Sequence, residues 1–574
     1  MKEINALQGH ARAMFRSMKT IFFIVLAMGY CFANELVVQP IVQINQDHST
    51  MWRKVQEMAK DTVVQIFVQS GVFNWLQPFK SPDYKKTYGS GFFIDDQGHI
   101  VSNFHVIEEA LGVKIQIPSF GKEQFDVNVV GVCPDRDLAL LKLSDDSLAR
   151  IRAKIGTIPF LDLGDSDMVL RTQEILALGY PLGQEKLKST QGIVSGREIV
   201  WGESYFQITA ALNPGNSGGP SLSSEGKVIG INTVRISSAQ NIGYIIPIND
   251  VKNVIRVLHK VKLLRSPILG TESNYATAQM VKHFNNPLPG GLYVARVHKN
   301  SLLERAGIQE GDMIYSINGH PIDMYGETNV NWSEDKVPVV ALLNRFVLDQ
   351  DIALEAYRQG KKMEIAFKFK NLGELPIRKY YPVYEHVDYE ILGGMVVMQL
   401  TLNHLEKIDD MDLKIIKDLV KFERRENQHE PKLIVTHVFP TSQSQEARCI
   451  SPGDLLTEVN GIPVSNLYDY RMAIEKSSGD PALQGMITFK TEDKKFMVLA
   501  LDRVIADENN LSRRYQYKKS KFIRELLAKN PGVINLVRHS SKVIENGLTT
   551  NVSSGTARGQ ASRADLEKAQ KRVV

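Results

Sequence analysis

The chain has 574 residues, and a prior of roughly 150 residues per domain predicts about four folded units, so a single hydrophobic core is excluded. With 43% hydrophobic, 23% charged and 8% aromatic residues, it is not collagen-like, coiled-coil or wholly disordered. Its three cysteines, Cys31, Cys133 and Cys449, lie far apart in sequence, so we predict neither a metal site nor a cofactor. The net charge of +5 is uneven, because residues 511–574 carry ten more basic than acidic side chains. Basic charge concentrated at one end does not indicate a nucleic-acid partner.

The N-terminus has the order of a secretory signal peptide. An apolar run over residues 21–28 follows a basic residue and precedes Ala33, which suits a cleavage position. The run is shorter than the roughly 20 apolar residues that a spanning helix needs, so we predict a signal peptide over 1–33, with an uncleaved anchor as the alternative. The mature chain, which begins with an N-terminal segment over 34–60, is then exported to the periplasm or another extracytoplasmic compartment.

Residues 61–262 consist of short, β-rich apolar runs separated by Gly, Pro, Asn and Asp. This alternation of strands and turns is typical of a sandwich or of barrels. Near its end, Asn249 and Asp250 precede apolar residues at helical spacing, which predicts a helix over 251–260. We expect that helix to close the first region.

An internal repeat follows, because residues 308–322 recur as residues 450–464 at a constant offset of 142. Each copy contains a Gly-Asp pair and an Asn-Gly pair, and the Asn-Gly pair is a tight-turn signal between strands. Each copy also follows an apolar strand, so the repeats predict two small α+β domains, over 263–372 and 373–505.

The pattern predicts one helix after the turn of each repeat, over 336–346 and over 466–476. Trp332 and Tyr325, in an insertion of the first repeat, are expected to pack rather than to bind a ligand. Beyond the second repeat, residues 506–574 are rich in basic and small polar side chains. We predict a largely flexible basic tail there, with a short helical stretch at 522–527.

The most specific local motif is Asn-Pro-Gly-Asn-Ser-Gly-Gly-Pro over residues 213–220. On its own, Gly215-x-Ser217-x-Gly219 also fits the nucleophile elbow of α/β-hydrolases. In such hydrolases the acidic residue and the histidine follow the serine, whereas the candidates here, His105 and Asp137, precede it. The order His, Asp, Ser is that of chymotrypsin-like proteases, which disfavours an esterase of the α/β class.

These three residue types fit one chemistry. A serine hydroxyl is a weak nucleophile, so a histidine must take its proton and a carboxylate must orient that histidine. His99 and Asp135 are the weaker alternatives for the base and for its orienting carboxylate. Taken singly, each residue has a plain structural explanation in packing or a turn. Their joint order among β-strands favours catalysis by His105, Asp137 and Ser217.

Several segments together resemble the HtrA/Deg family of trypsin-like serine proteases, and the two repeats resemble its PDZ domains. The resemblance spans residues 50 to 505, and the long lead-in of the second repeat is similar to that of plant-type Deg proteases. The segments that carry it are Gly89–Phe92, Ser102–Val106, Asp137–Leu140, Leu178–Pro181, Thr190–Ser195, Gly215–Gly219 and Gly243–Pro247.

The resemblance implies a mainly β protein, with a chymotrypsin-like double β-barrel protease domain followed by two α+β PDZ-like domains. It implies His105 as general base, Asp137 as its orienter and Ser217 as nucleophile, with Gly215, Asn216 and Ser217 forming the oxyanion hole. It also implies ATP-independent cleavage of unfolded polypeptides, as in protein quality control, by a trimer or a multiple of trimers. Two departures are Pro214 before the oxyanion loop and a short loop over 73–79, which puts a cage-like assembly in doubt.

The resemblance also places two binding regions. The carboxylate-binding loop of the first PDZ-like domain matches Ile268, Leu269 and Gly270, whereas the second domain shows no equally clear loop and could be a docking domain instead. In trypsin, an acidic residue six positions before the nucleophile selects Lys or Arg, and that position here is Ala211. With Leu212 and Ile231 as further apolar walls, the pocket predicts cleavage after small or medium aliphatic residues.

The sequence therefore predicts an exported serine endopeptidase that acts on unfolded polypeptides and assembles as a homo-oligomer. Its expected partners are polypeptide substrates and peptide ligands of the first PDZ domain, with no nucleic acid. The basic tail is expected to be solvated, with contact to an anionic membrane surface as a second interpretation. A chaperone or scaffold that binds polypeptides with little or no proteolysis is the functional alternative.

Overall fold

The computed structural model describes residues 41–200, 202–233, 242–370, 374–407, 418–477 and 485–530. The predicted signal peptide and the last 44 residues of the predicted tail lie outside these described residues. None of the helices that the structure describes combines the length and the apolar character needed to cross a bilayer. The described chain begins with helix α1 (Ile41–Ala59), which packs Trp52 and Val55 into the core shared by the two barrels.

Two closed six-stranded antiparallel barrels form the first region, as the fold prediction requires. Closure pairs every strand on both sides and leaves no open sheet edge. The first barrel, in the order β1-β2-β3-β6-β5-β4, contains β1 (Val63–Val72), β2 (Asp83–Phe93), β3 (His99–Ser102), β4 (Ala110–Gln116), β5 (Gln124–Cys133) and β6 (Leu138–Leu143). The second, in the order β10-β11-β12-β9-β8-β7, contains β7 (Glu174–Gly179), β8 (Lys188–Val200), β9 (Glu203–Ile208), β10 (Pro220–Leu222), β11 (Val228–Thr233) and β12 (Gly243–Pro247).

Three helices accompany the barrels: α2 (Phe104–Ile107), α3 (Asp145–Ile155) and α4 (Ile248–Leu258). Helix α3 is capped by Ser144, whose hydroxyl accepts a hydrogen bond from the Ser147 amide. The last helix starts three residues before its predicted position, directly after Pro247. Its buried stripe, which includes Val251 and Val254, joins the cluster that packs the two barrels together.

The first PDZ-like domain is an antiparallel sheet in the order β13-β14-β15-β19-β20, and β13 forms its exposed edge. The predicted helix over 336–346 is shorter in the structure, because it starts only after Pro338 and ends at Leu343. The elements are β13 (Thr271–Tyr275), α5 (Ala278–His283), β14 (Leu292–Val297), α6 (Leu302–Arg305), β15 (Met313–Ile317), β16 (His320–Pro321), β17 (Glu327–Thr328), β18 (Val337–Pro338), α7 (Val339–Leu343), β19 (Asp351–Arg358) and β20 (Lys361–Lys368).

The second PDZ-like domain repeats this sheet in the order β21-β22-β23-β24-β26-β27. Its predicted helix over 466–476 is present as α10, shifted by one residue. The elements are β21 (Tyr389–Leu392), β22 (Met395–Gln399), α8 (Leu402–Leu405), β23 (Leu433–Val438), α9 (Gln443–Ala447), β24 (Leu455–Val459), β25 (Ile462–Pro463), α10 (Leu467–Ser477), β26 (Met486–Thr491) and β27 (Phe496–Ala500).

Two further helices, α11 (Leu501–Tyr515) and α12 (Lys521–Lys529), extend the second PDZ-like domain. The basic composition predicts a flexible tail from residue 506 onward, and for the described part of that segment this expectation is corrected. Apolar side chains of both helices, including Val504 and Leu526, lie in one core cluster with the sheet of this domain. Their burial stabilises a segment whose composition is typical of disorder.

The protease region contacts both PDZ-like domains. Trp332 of the first PDZ-like domain is 8% exposed, and the guanidinium groups of Arg197 and Arg345 both contact its ring, as its predicted packing role requires. Tyr325, for which packing was also expected, is 67% exposed, so that expectation is wrong. The loop over 73–79 packs onto the second PDZ-like domain through Trp75 and Phe79.

Candidate active site

His105 and Asp137 meet at the edge of the first barrel. His105 lies on helix α2, and Asp137 precedes β6 in a left-handed conformation with φ of 52°. The His105 Nδ1 atom is 2.8 Å from Asp137 Oδ2, and the His105 backbone amide donates to Asp137 Oδ1 at 2.9 Å. The aspartate is 3% exposed, so its carboxylate is shielded from water while it fixes both the ring and the backbone of the histidine.

Two residues that sequence reasoning did not single out hold Asp137. The Thr233 hydroxyl on β11 donates to Asp137 Oδ2 at 3.3 Å, and the Asn103 amide donates to the Asp137 carbonyl oxygen at 3.0 Å. Thr233 comes from the second barrel, so both barrels contribute to the position of this carboxylate. Thr233 lies 96 residues from Asp137 in the sequence, so no local sequence pattern indicates this contact.

Ser217 lies in the tight loop before β10, where the backbone requires glycine. Gly215 has φ of 101°, and a Cβ atom there would lie 2.3 Å from the Tyr180 carbonyl oxygen. Among the described residues, the backbone amides of Gly215 and Ser217 donate no hydrogen bond, which leaves both as donors for an oxyanion. The Asn216 amide, by contrast, bonds to the Asn213 carbonyl oxygen and shapes the turn.

Ser90 on β2 connects this loop to the first barrel. Its hydroxyl donates to the Gly215 carbonyl oxygen at 2.7 Å and accepts from the Tyr180 amide at 2.9 Å. Its own amide donates to the Ser217 carbonyl oxygen at 2.9 Å. Ser90 is fully buried, so these bonds are protected from water. The Ser217 loop is thereby joined to the first barrel, which also carries His105 and Asp137. No hydrogen bond between Ser217 and His105 is present within the described chain, and such bonds often tighten only with substrate.

The two alternative candidates, His99 and Asp135, contact other partners in the structure. His99 Nδ1 lies 2.6 Å from Asp95 Oδ2, and its ring contacts that of His259 edge-on. Asp135 accepts a hydrogen bond from the Ser266 amide at 2.7 Å, at the start of the connection to the first PDZ-like domain. Neither residue lies in the His105–Asp137 pair.

The three residues expected to form the substrate pocket lie in different environments in the structure. Ala211 is exposed and Leu212 half-buried, and Leu212 packs in the cluster of the second barrel. Ile231 is fully buried in the core between the barrels, so the interpretation of Ile231 as a pocket wall is corrected. Strand β11 points this side chain inward, where apolar neighbours surround it.

The peptide groove expected in the first PDZ-like domain has an open edge. Gly270, with φ of 81°, directly precedes β13, and the outer edge of β13 is unpaired in the described sheet. Leu269 packs against the domain core, and Ile268 faces a cavity of about 670 Å³ that Asp137 also lines. Ile268 of this loop and the residue Asp137 therefore line one interdomain cavity.

The corresponding groove of the second PDZ-like domain is bridged. Arg471 on α10 bonds to Glu390 on β21 at 2.8 Å and to Asp388 at 2.7 Å. Residues 517–520, between the last two helices, line a cavity of about 250 Å³ together with this strand.

Other ionisable groups do not suggest a second reaction centre. Burial raises the pKa of the Cys133 thiol to about 12, which keeps it protonated and unreactive near neutral pH. Within the described ranges, no group of three or more His, Cys, Asp or Glu side chains is arranged to hold a metal ion. Burial also raises the pKa of Glu203 to about 7, near the base of the interdomain cavity.

Family models match three parts of the chain. The model described as a trypsin-like peptidase domain matches residues 89–231, and two models described as PDZ domains match residues 293–330 and 380–521. Together with the two closed barrels, these matches define a chymotrypsin-like serine endopeptidase that carries two PDZ domains.

Relatives of known class extend over most of the molecule. A "Serine protease Do-like HtrA" of Bacillus subtilis is 30% identical over 342 residues, covering 54% of this chain and 71% of the relative. A "Probable periplasmic serine endoprotease DegP-like" of Chlamydia trachomatis is 30% identical over 425 residues, covering 72% of this chain and 74% of the relative. The chain belongs to the HtrA/DegP family of serine proteases.

Among solved structures, the chain is similar to "HtrA-type protease AlgW with decapeptide", with 23% identity and a TM-score of 0.44. That match covers 56% of this chain and 99% of the other. The similarity of the second PDZ domain to plant-type Deg proteases stays a prediction.

Proposed function

We propose that this enzyme is an exported, ATP-independent endopeptidase that degrades unfolded or misfolded polypeptides in protein quality control. The observation that carries the proposal is the pairing of His105 with the buried carboxylate of Asp137, together with the two free backbone amides of the Ser217 loop. Export and a periplasmic location are supported by relatives such as the "Probable periplasmic serine endoprotease DegP-like" of Hahella chejuensis, 27% identical over 431 residues.

In the proposed mechanism, the Nδ1–H group of His105 donates a hydrogen bond to Asp137, which keeps Nε2 free to accept the Ser217 proton. The Ser217 oxygen attacks the scissile carbonyl carbon, and the amides of Gly215 and Ser217 stabilise the oxyanion. His105 then protonates the leaving amine, and water, activated by the same imidazole, releases the acyl group. Asp137 stabilises the imidazolium that forms.

Substrate selection is expected to depend on the pocket that receives the side chain before the cleaved bond. Position 211 offers no carboxylate for a basic side chain, and the neighbouring Leu212 is apolar. We expect cleavage after Val, Ala, Ile or Leu, with discrimination of about 1 to 3 kcal/mol per methylene group. A peptide bound along β13 of the first PDZ domain is expected to regulate or deliver substrate, and assembly as a trimer or its multiple is part of the same proposal.

The decisive experiment compares the mature enzyme with its Ser217→Ala variant on reduced casein. Wild type should cleave casein without ATP, and the variant should bind but not cleave it, because it loses one hydroxyl and no core packing. His105→Ala should be nearly as inactive, since triad residues act as a unit. Equal cleavage by Ser217→Ala would refute the assignment, and binding without cleavage by wild type would favour the chaperone alternative.

The same digest tests specificity when its cut sites are mapped by mass spectrometry. Most cuts should follow small or medium aliphatic residues. A majority of cuts after Lys or Arg would show that a carboxylate from another part of the chain enters the pocket.

A further inference from the structure

The helix that carries His105 depends on a partner from elsewhere in the chain. Helix α2 has only four residues, so its last carbonyl groups accept no hydrogen bond inside the helix. Ile107, at its end, is fully buried, and a buried carbonyl group requires a donor. The hydroxyl group of Tyr384 donates a hydrogen bond of 3.1 Å to the Ile107 carbonyl oxygen. This donor lies in the lead-in segment of the second PDZ domain, ahead of β21, 277 residues further along the chain.

A second tyrosine of that segment packs against the same helix. The ring centroids of Tyr381 and Phe104 are 5.1 Å apart at an interplanar angle of 84°, a favourable edge-to-face contact. Phe104 directly precedes His105. Tyr381 is only 7% exposed and belongs to the apolar cluster of the first barrel, although it comes from outside the barrel sequence. The back of the histidine helix is therefore built from the PDZ region.

Buried ion pairs keep the tyrosine segment in place. The Glu385 side chain accepts a hydrogen bond from the Tyr381 amide at 3.0 Å. The same carboxylate pairs with Arg378 at 2.8 Å and with Arg265 at 2.6 Å, and all three side chains are at most 16% exposed. Arg265 follows the protease domain directly, so the segment is fixed to the barrels. A partner held this way has little freedom, which suits a positioning role.

We propose that Tyr384 and Tyr381 are positioning residues for His105, through which the lead-in segment of the second PDZ domain, ahead of β21, completes the active site of the protease domain. The inference rests on the proposed function, in which His105 is the general base. Without the Tyr384 hydroxyl, the end of α2 would lose the hydrogen bond that holds it in place. The His105 imidazole would then spend less time aligned between Asp137 and Ser217. Substrate contacts would remain, so the effect falls on turnover rather than on binding.

The test uses the full-length enzyme with Tyr384→Phe, which removes one oxygen and keeps the ring. Tyr380→Phe is the matched control, because no hydrogen bond to its hydroxyl group is described although it lies in the same segment. We expect Tyr384→Phe to lower kcat about three- to tenfold, the range for one lost hydrogen bond, with KM nearly unchanged. Inactivation of Ser217 by a fluorophosphonate should slow by the same factor, and the control should match wild type.

A readout that needs no turnover separates this inference from the proposed function. In protein labelled with ¹⁵N-histidine, the ring signal that His105→Ala removes should shift in Tyr384→Phe and stay in place in Tyr380→Phe. If that signal and kcat are both unchanged, or if KM alone rises, the positioning role is wrong. A loss of kcat that disappears on cooling well below the unfolding temperature would also overturn it, because it would reflect unfolding. Inactive wild type with a shifted signal would refute only the proposed function.

Discussion

At the scale of single residues, the backbone of the Ser217 loop decides which side chains fit. The loop passes so close to neighbouring strands that a Cβ atom at Gly218 would lie 2.1 Å from the Ser90 carbonyl oxygen. Gly218 also has φ of 86°, in the left-handed region that favours glycine. Its glycine is therefore required by two independent constraints, and the same holds for Gly215.

Replacing Gly215 by alanine should disable the oxyanion hole. The new methyl group would approach the Tyr180 carbonyl oxygen to 2.3 Å, and the positive φ disfavours any residue with a Cβ atom. We expect kcat/KM for a peptide substrate to fall by about 100-fold or more, the effect of losing one oxyanion donor. Gly112→Ala is the control, because a Cβ atom there meets nothing within 4 Å. Similar kinetics for both variants would contradict this account of the loop.

At the residue level, the sequence is informative where its signal is local. The segments around Ser217, His105 and Asp137 each carry a short, recognisable pattern, and the structure brings His105 and Asp137 into direct contact. The contributions of Ser90 and Thr233 could not be predicted in the same way. Their contacts join parts of the chain 125 and 96 residues apart, and only the folded barrels create them.

At the scale of elements, the last two helices show how composition can mislead. Helix α11 has apolar residues at helical spacing among many charged ones, and α12 has an N-cap at Ser520. Neither is apolar enough to predict burial, because the surface that receives them forms only when the second PDZ sheet is complete. Periodicity therefore identified the 522–527 stretch as helical, while tertiary contact decided that it is folded.

Glu508 on α11 makes the stability of this extension depend on pH. It is 1% exposed, and burial raises its pKa from 4.5 to about 7, although the Tyr517 hydroxyl donates to it at 2.6 Å. Between these values, folded Glu508 holds a proton that the unfolded chain has lost. The stabilising contribution is complete below pH 4.5 and is lost as the pH rises through 7.

Glu508→Gln should remove that dependence, because the amide stays neutral at every pH. The unfolding temperature of wild type, measured against that of the variant, should decrease as the pH is raised from 5 to 8. The expected decrease is about 2 to 4 °C for each kcal/mol of stability lost. Thermal unfolding followed by circular dichroism measures the difference. Glu525→Gln on α12 serves as the control, because that side chain is 58% exposed. A constant gap between wild type and Glu508→Gln across this range would contradict the titration of Glu508.

At the scale of the whole molecule, the protease region and the second PDZ domain share apolar cores. Trp75 is 5% exposed and lies in a cluster with Ile377 and Leu400 of the PDZ region. Phe79 contacts the Phe439 ring at 4.9 Å. The 73–79 loop is recognisably short in the sequence, but its partner could not be assigned there, since that partner lies more than 300 residues away. Domain order was predictable from repeats, whereas docking between domains was not.

Trp75→Ala should uncouple the second PDZ domain from the protease domain. Removing a buried tryptophan costs about 3 to 5 kcal/mol, and here the loss falls on a contact between domains rather than inside a barrel. Calorimetry should show the PDZ region unfolding in a separate transition at lower temperature, while the barrels unfold nearly as in wild type. Tyr325→Ala, at a side chain 67% exposed on the first PDZ domain, should leave the wild-type profile unchanged. One transition shifted downward as a whole would contradict this prediction, because it would show that the two domains still unfold as one unit without Trp75.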